Sequence, residues 1–318
     1  MIRRSLLALP LATTLPGTAR AQWVPTRPIR LIIAFPPGGS TDVLGRLIAP
    51  LLSAALGQPV VPENRTGAAG AVASGFVAAA PPDGHTILLD SGGHAVNPYL
   101  MRGLGFDYLT GFTPITLLAT LPLVLVVGSE SGITTLPELL ARAQAGPATY
   151  GSVGVGSRTH LAGALLLRRA GLAGTHVPYR GGADQITAQL RGETLFGFSS
   201  VALTAALLRE GRLRALGVSS PMPALALPDI APVAAQGFAG FSMIDWLALH
   251  APAQTPTPMT ARLAEAAAAA MAEPAIQQRL ADLGLQPEAR GPAALATFLA
   301  GERELMSGLI AAENIRLD

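Results

Sequence analysis

Three times the chain runs a strand-like segment into a glycine-rich turn and then a helix start, at Phe35–Asp42, Gly151–His160 and Tyr179–Gly182. This restricts it to parallel sheets flanked by helices, because a strand feeding a helix through a short turn is the unit of α/β architecture. Ile29 to Phe35 is β-rich. After Pro36-Pro37-Gly38-Gly39-Ser40-Thr41, the residues Val43, Leu44, Leu47, Ile48, Leu51 and Leu52 recur at helical spacing. Val60-Val61 and Ile87 to Leu89 read as strands, with a small-residue helix from Ala69 to Ala80 between them.

A second series follows the apolar segment Ile115 to Val127. Helices are expected over Leu136–Ala145, Leu161–Ala170, Ala183–Leu190 and Ala202–Leu208, and strands at Thr149–Val153, His176–Tyr179, Leu195–Ser199 and Leu213–Ser219. The tail reads as Pro-rich loop, an apolar strand at Phe241–His250, and helices at Met259–Met271, Ala275–Leu283 and Ala293–Ala312. One strand and three helices do not close a domain, so the tail should return to the first unit. The expected division is 22–124 with 243–318 against 125–242. Two hinge crossings, near 115–128 and 240–251, would then frame an interdomain cleft.

Residues 1–21 read as an export signal: basic Arg3 and Arg4, an apolar stretch from Leu6 to Leu15, and Ala19-Arg20-Ala21 as the cleavage site. Cleavage after Ala21 would leave Gln22 first. Arg3-Arg4-Ser5-Leu6-Leu7 also fits a twin-arginine signal, so general secretion and the twin-arginine route both stand. The formal charge of +2 includes Arg3, Arg4 and Arg20, so the mature chain would carry −1. There is no lysine and the arginines are scattered, which excludes a phosphate-tracking surface and nucleic acid as a partner. With 0 Cys the chain has neither disulfides nor an N-terminal lipid anchor. The longest apolar run, Leu117 to Val127, is too short to span a bilayer. A soluble periplasmic monomer is expected.

Ligands in open α/β sheets bind beyond the carboxyl ends of strands, where helix N-termini offer free N–H groups to anions. Ser40, Thr41 and Ser157 can cap those helices or donate to a carboxylate, and Arg180 stands where its guanidinium could grip one. His94 and His160 sit in or just after candidate loops. Enzyme signatures fail. Tyr150 stands where a nucleophile elbow needs glycine, Thr159 where a dinucleotide fingerprint needs glycine, and a Walker loop needs lysine. His85, His94, His160, His176 and His250 lack metal-ligand spacing. Neither a metal, a cofactor nor a catalytic residue is expected. Asp42 and Arg46, spaced i,i+4, read as a helix-start ion pair.

Several segments resemble the Bug-type receptors of tripartite tricarboxylate transporters: Pro28–Ile32, Phe35–Asp42, Glu63–Gly70, Pro82–Thr86, Tyr150–Ser152 with Gly156-Ser157 and His160-Leu161, Val177–Gly181 and Leu213–Gly217. The match spans nearly the whole mature chain. It implies a two-domain Venus-flytrap fold in the periplasm that binds a small carboxylate and hands it to membrane transporter subunits. It also implies a ligand pocket drawn from Phe35, Pro37, Gly38, Gly39, Ser40, Thr41, Ala68, Ser91, His94, Gly156, Ser157, His160, Tyr179, Arg180 and Gly181. The family often carries an acid after the Gly192 turn, where this chain has Leu195. An amino-acid ligand becomes less favoured, while a monocarboxylate and a tricarboxylate both stay open. Two rivals need separating: a ligand sensor for a membrane signalling partner, and an exported hydrolase using Ser157 and His160.

Overall fold

A computed structural model describes residues 23–316; the expected signal and its cleavage site lie outside them. The first three strands are β1 (Ile29–Ile33), β2 (Val60–Asn64) and β3 (Thr86–Ser91), with helices α1 (Ser40–Leu56), α2 (Ala71–Ala78) and α3 (Gly93–Leu100) after each in turn. β1 pairs in parallel with both β2 and β3. β3 is buried along its whole length and β1 almost so, as expected of strands covered by helices on both faces.

The apolar segment that follows is one long strand, β4 (Phe112–Gly128), and it belongs to both halves of the molecule. From Phe112 to Pro122 it pairs with β9 (Ile244–Pro252), which lies against β3. From Leu123 to Gly128 it pairs with β7 (Phe196–Ser200) and β8 (Leu213–Val218). β5 (Thr149–Ser152) and β6 (Thr175–Pro178) extend the second sheet from β7. The helices of this half are α4 (Leu136–Ala145), α5 (Arg158–Arg169), α6 (Gly182–Leu190) and α7 (Val201–Arg209). Thr135 and Glu138 close a capping box that fixes the start of α4.

The tail returns to the first half as α8 (Thr257–Met271), α9 (Pro274–Asp282), β10 (Gln286–Arg290) and α10 (Pro292–Ala312). β10 pairs antiparallel with β4 over Leu117–Thr120, with a register shift between Pro287 and Arg290. Its Pro287 and its polar residues hid it from the sequence reading, as Pro98 hid α3. α10 does more than rejoin the first half. Its Leu295, Leu299, Met306 and Leu309 share one apolar core with Leu161 and Leu165 of α5 in the second half.

Candidate functional site

Between the halves lies a cavity of about 470 Å³, within the size range of small-molecule sites. Five helix N-termini reach its wall, through Ser40 of α1, Gly93 of α3, Arg158 and Thr159 of α5, Gly182 of α6, and Ser200 just before α7. Of the residues capping these helices, only Ser157 caps with its side chain, accepting the His160 N–H. Gly39, Gly92, Gly181 and Ser200 make no side-chain cap bond. The Ser199 hydroxyl is buried in the wall without a hydrogen-bond partner. Uncapped N–H groups with their dipoles favour an anion. Phe35, Leu121, Leu123, Val153 and Leu203 make much of the remaining wall apolar, beside the polar Ser91, Asn97 and Asp245.

The Pro-Gly loop is held from below. The Asp42 carboxylate accepts the Gly38 N–H at 3.0 Å, the Asn64 amide at 2.8 Å and Arg46 Nε at 2.9 Å. Asn64 also donates to the Phe35 carbonyl. Burial alone would raise the Asp42 carboxyl, but the Gly38 N–H, Asn64 and Arg46 outweigh it and hold it below its ordinary value. Its stabilising contribution is therefore present above the unfolded value of 3.8 and is lost as pH falls through the lower folded value. An Asp42→Asn variant should melt below the parent at about pH 5, the gap closing toward about pH 2. Thermal unfolding at both values tests this, and a gap independent of pH would contradict it.

The second-half loop is held by histidines. His160 Nδ1 accepts the Gly156 N–H at 3.1 Å, and the His160 ring stacks on His176 at 3.7 Å. His176 Nε2 meets Ser152 Oγ at 2.5 Å. Burial, then His176, pushes His160 down to about 4, which keeps Nδ1 free to accept. Gly156 has φ 74°, where a side chain would be strained, and a Cβ there would push aside the Leu100 side chain 2.4 Å away, so the position favours glycine. Ser157 Oγ donates to the Gly154 carbonyl at 2.7 Å, so its hydroxyl serves the turn and the helix cap.

An ion pair closes the cavity on one side. Arg158, buried at the start of α5, reaches Glu302 of α10 at 2.6 Å and the Gly92 carbonyl at 3.1 Å. Glu302 also accepts Trp246 Nε1 at 2.8 Å. Asp245, at the start of β9, accepts the N–H groups of Gly92 and Trp246, each at 2.9 Å. A Cβ on Gly92 would lie 2.4 Å from Arg158 Nε and 2.5 Å from Asp245 Oδ1, so glycine is what lets the three approach.

Of the residues expected from sequence, Phe35, Ser40, Ser91, Gly156 and Ser157 line this cavity. Pro37, Gly39 and Thr41 line an adjoining depression that also includes Phe35, Ser91 and Asp245. Gly38 is exposed and spends its N–H on Asp42. His94 is wholly buried, stacked on His250 at 4.2 Å and facing Asp90, and His160 supports the loop from beneath. Ala68 faces outer grooves. Tyr179 and the exposed Arg180 border a separate depression with Glu193, while Gly181 caps α6 beside the wall residue Gly182. Leu195 packs against the core, away from the cavity wall. Sequence reasoning missed Arg158, Ser199, Ser200 and Asp245. Ser199-Ser200 follows the strand, turn, helix rule without glycine, and searching for glycine passed over it.

The fold and the cleft between its halves define a two-domain periplasmic binding protein. The family described as "Tripartite tricarboxylate transporter family receptor" matches residues 44–315. The UPF0065 protein in the tcbD-tcbE intergenic region of Pseudomonas sp. (strain P51) is 37% identical over 314 residues, covering 97% of this chain and 93% of its own. R. palustris Rpa4515 with adipate superposes at a TM-score of 0.78 and 30% identity, over 92% of this chain and 99% of that one. MatC (Rpa3494) from Rhodopseudomonas palustris with bound malate does so at 0.74 and 29% identity, over 90% and 99%. The chain belongs to the tripartite tricarboxylate transporter receptor family, as its resemblance to the Bug-type receptors implied.

Proposed function

We propose that this chain is a periplasmic receptor that captures a small carboxylate between its two domains and delivers it to the membrane subunits of a tripartite tricarboxylate-type transporter. It acts as an exported monomer, binding without turnover, with the division falling between 22–124 plus 243–318 and 125–242. The observation that carries this reading is the convergence of five helix N-termini on one cavity beside the unpartnered Ser199 hydroxyl. Such a site meets a carboxylate with backbone N–H groups and hydroxyls, and needs no free cation. Adipate and malate in the related structures agree with that chemistry. Phe35, Ser40, Ser91, Gly156 and Ser157 contact the ligand, Pro37, Gly39 and Thr41 flank it, and Tyr179, Arg180 and Gly181 join the wall as the domains close further.

Titration calorimetry of the mature chain against mono-, di- and tricarboxylates tests the reading, with saturable binding to at least one expected. Heat from none of them would remove it. Ser199→Ala should weaken the best ligand about tenfold, the worth of one hydrogen bond to a charged acceptor. An unchanged affinity would take Ser199 out of the site.

A further inference from the structure

The cavity is polarised. At its second-domain end stand Ser199, Ser200 and the uncapped start of α7, which carries no acid in its first turn. On the first-domain side stands Asp245, the acidic side chain on the wall, opposite Leu121 of β4 where Ser200 is opposite Leu123. The cation on the wall, Arg158, has Nη1 against the Met243 and Met306 sulfurs and Nη2 committed within the protein, while its Nε is buried without a partner. Its guanidinium is bonded to Glu302 and the Gly92 carbonyl, leaving one positive charge against the carboxyls of Glu302 and Asp245. The N–H of Gly92, which would otherwise offer an anion a donor at the start of α3, is already given to Asp245 Oδ1. The surroundings of Asp245 are therefore already supplied with negative charge, and Phe35, Leu121, Leu123 and Leu203 add apolar surface to the wall.

We propose that Asp245 sets the ligand class, selecting a monocarboxylate with an apolar body and a hydrogen-bond donor such as a hydroxyl at its far end, and rejecting a second carboxylate there. The inference rests on the receptor reading above and sharpens it. The carboxylate sits at Ser199-Ser200 and the start of α7; the donor end meets Asp245. A second carboxylate at that end would face a like charge in a desolvated setting, whereas a hydroxyl gains an acceptor. Burial, with Glu302 adding to it, raises the Asp245 carboxyl above its ordinary value against the opposing pull of Arg158 and the Trp246 and Gly92 N–H groups.

Matched ligands test this by calorimetry on the mature chain: ω-hydroxyhexanoate against adipate, and para-hydroxybenzoate against terephthalate, within a wider carboxylate panel. The hydroxy acid should bind at least about tenfold more tightly than its dicarboxylate partner. Asp245→Asn keeps an oxygen for the Gly92 and Trp246 N–H groups, so the loop is retained. It should narrow or reverse the preference by raising affinity for the dicarboxylate, a gain that misfolding cannot produce. A wild-type chain that binds the dicarboxylate as tightly as the hydroxy acid, or an Asp245→Asn chain with unchanged preference, overturns the inference and leaves the receptor reading standing. Binding to no carboxylate at all removes the receptor reading, and the inference falls with it.

Discussion

Replacing Arg158 with methionine should lower the unfolding free energy by about 3–5 kcal/mol, because it strands the Glu302 carboxylate in a buried site. The pair is 2.6 Å apart with both side chains nearly inaccessible, and the same guanidinium nitrogen bonds the Gly92 carbonyl. The remaining carboxylate would keep one donor, Trp246 Nε1. Adding Glu302→Gln should therefore recover much of the loss, since an amide oxygen can still accept from Trp246 and no charge is left unpaired. Denaturant unfolding of the parent, the single variants and the double variant measures the coupling. Additive losses would show that the pair does not act as a unit. The pair joins α5 of the second half to α10 of the first, so the single variant should also loosen the setting of one half against the other.

Truncating Phe198 to alanine should cost about 3–5 kcal/mol, as a large buried aromatic leaves a cavity that its neighbours fill only in part. Phe198 is fully buried on β7, stacked near Phe241 at 6.0 Å, and its carbonyl accepts from Gln185. It immediately precedes Ser199-Ser200, so the variant should lose affinity as well as stability. Calorimetric unfolding with and without a bound carboxylate separates the two effects, because a ligand that binds only the folded chain raises the melting temperature. A shift under about 1 kcal/mol would mean that the core around β7 collapses to fill the space.

Much of the fold was legible because its strands and helices obey their own periods. Ile29–Phe35 and the helix beginning near Val43 fall where the pattern set them, as do the three tail helices to within a few residues. The return of the tail followed from its inability to close a core. What the pattern did not disclose was β10, whose proline and polar residues look like loop, and the double membership of β4. An apolar run shows that a strand is buried and not how many sheets it serves. The site was legible as a class of loop. Glycine drew attention to the first two loops, residues of which line the cavity, but Ser199-Ser200 reaches the same wall without it. Arg158 and Asp245 have no local signature, since their roles arise from contacts with residues far away in the chain, Glu302 and Gly92. Arg180 drew attention by its flanking glycines, yet it lies exposed beside Glu193 and away from the cavity.

β4 has one more consequence. Its residues Leu121 and Leu123 form part of the cavity wall on either side of the point where its pairing passes from β9 to β7 and β8. In the proposed receptor, the element that would flex as the domains close is therefore also part of the wall that would meet the ligand. Closure would then be the twisting of a continuous ribbon, an elastic response whose resting angle the captured molecule would set by its own girth. A bulkier ligand would prop the ribbon open and a slimmer one would let it wind further. The outer face offered to a membrane partner would then report the size of the cargo as well as its presence.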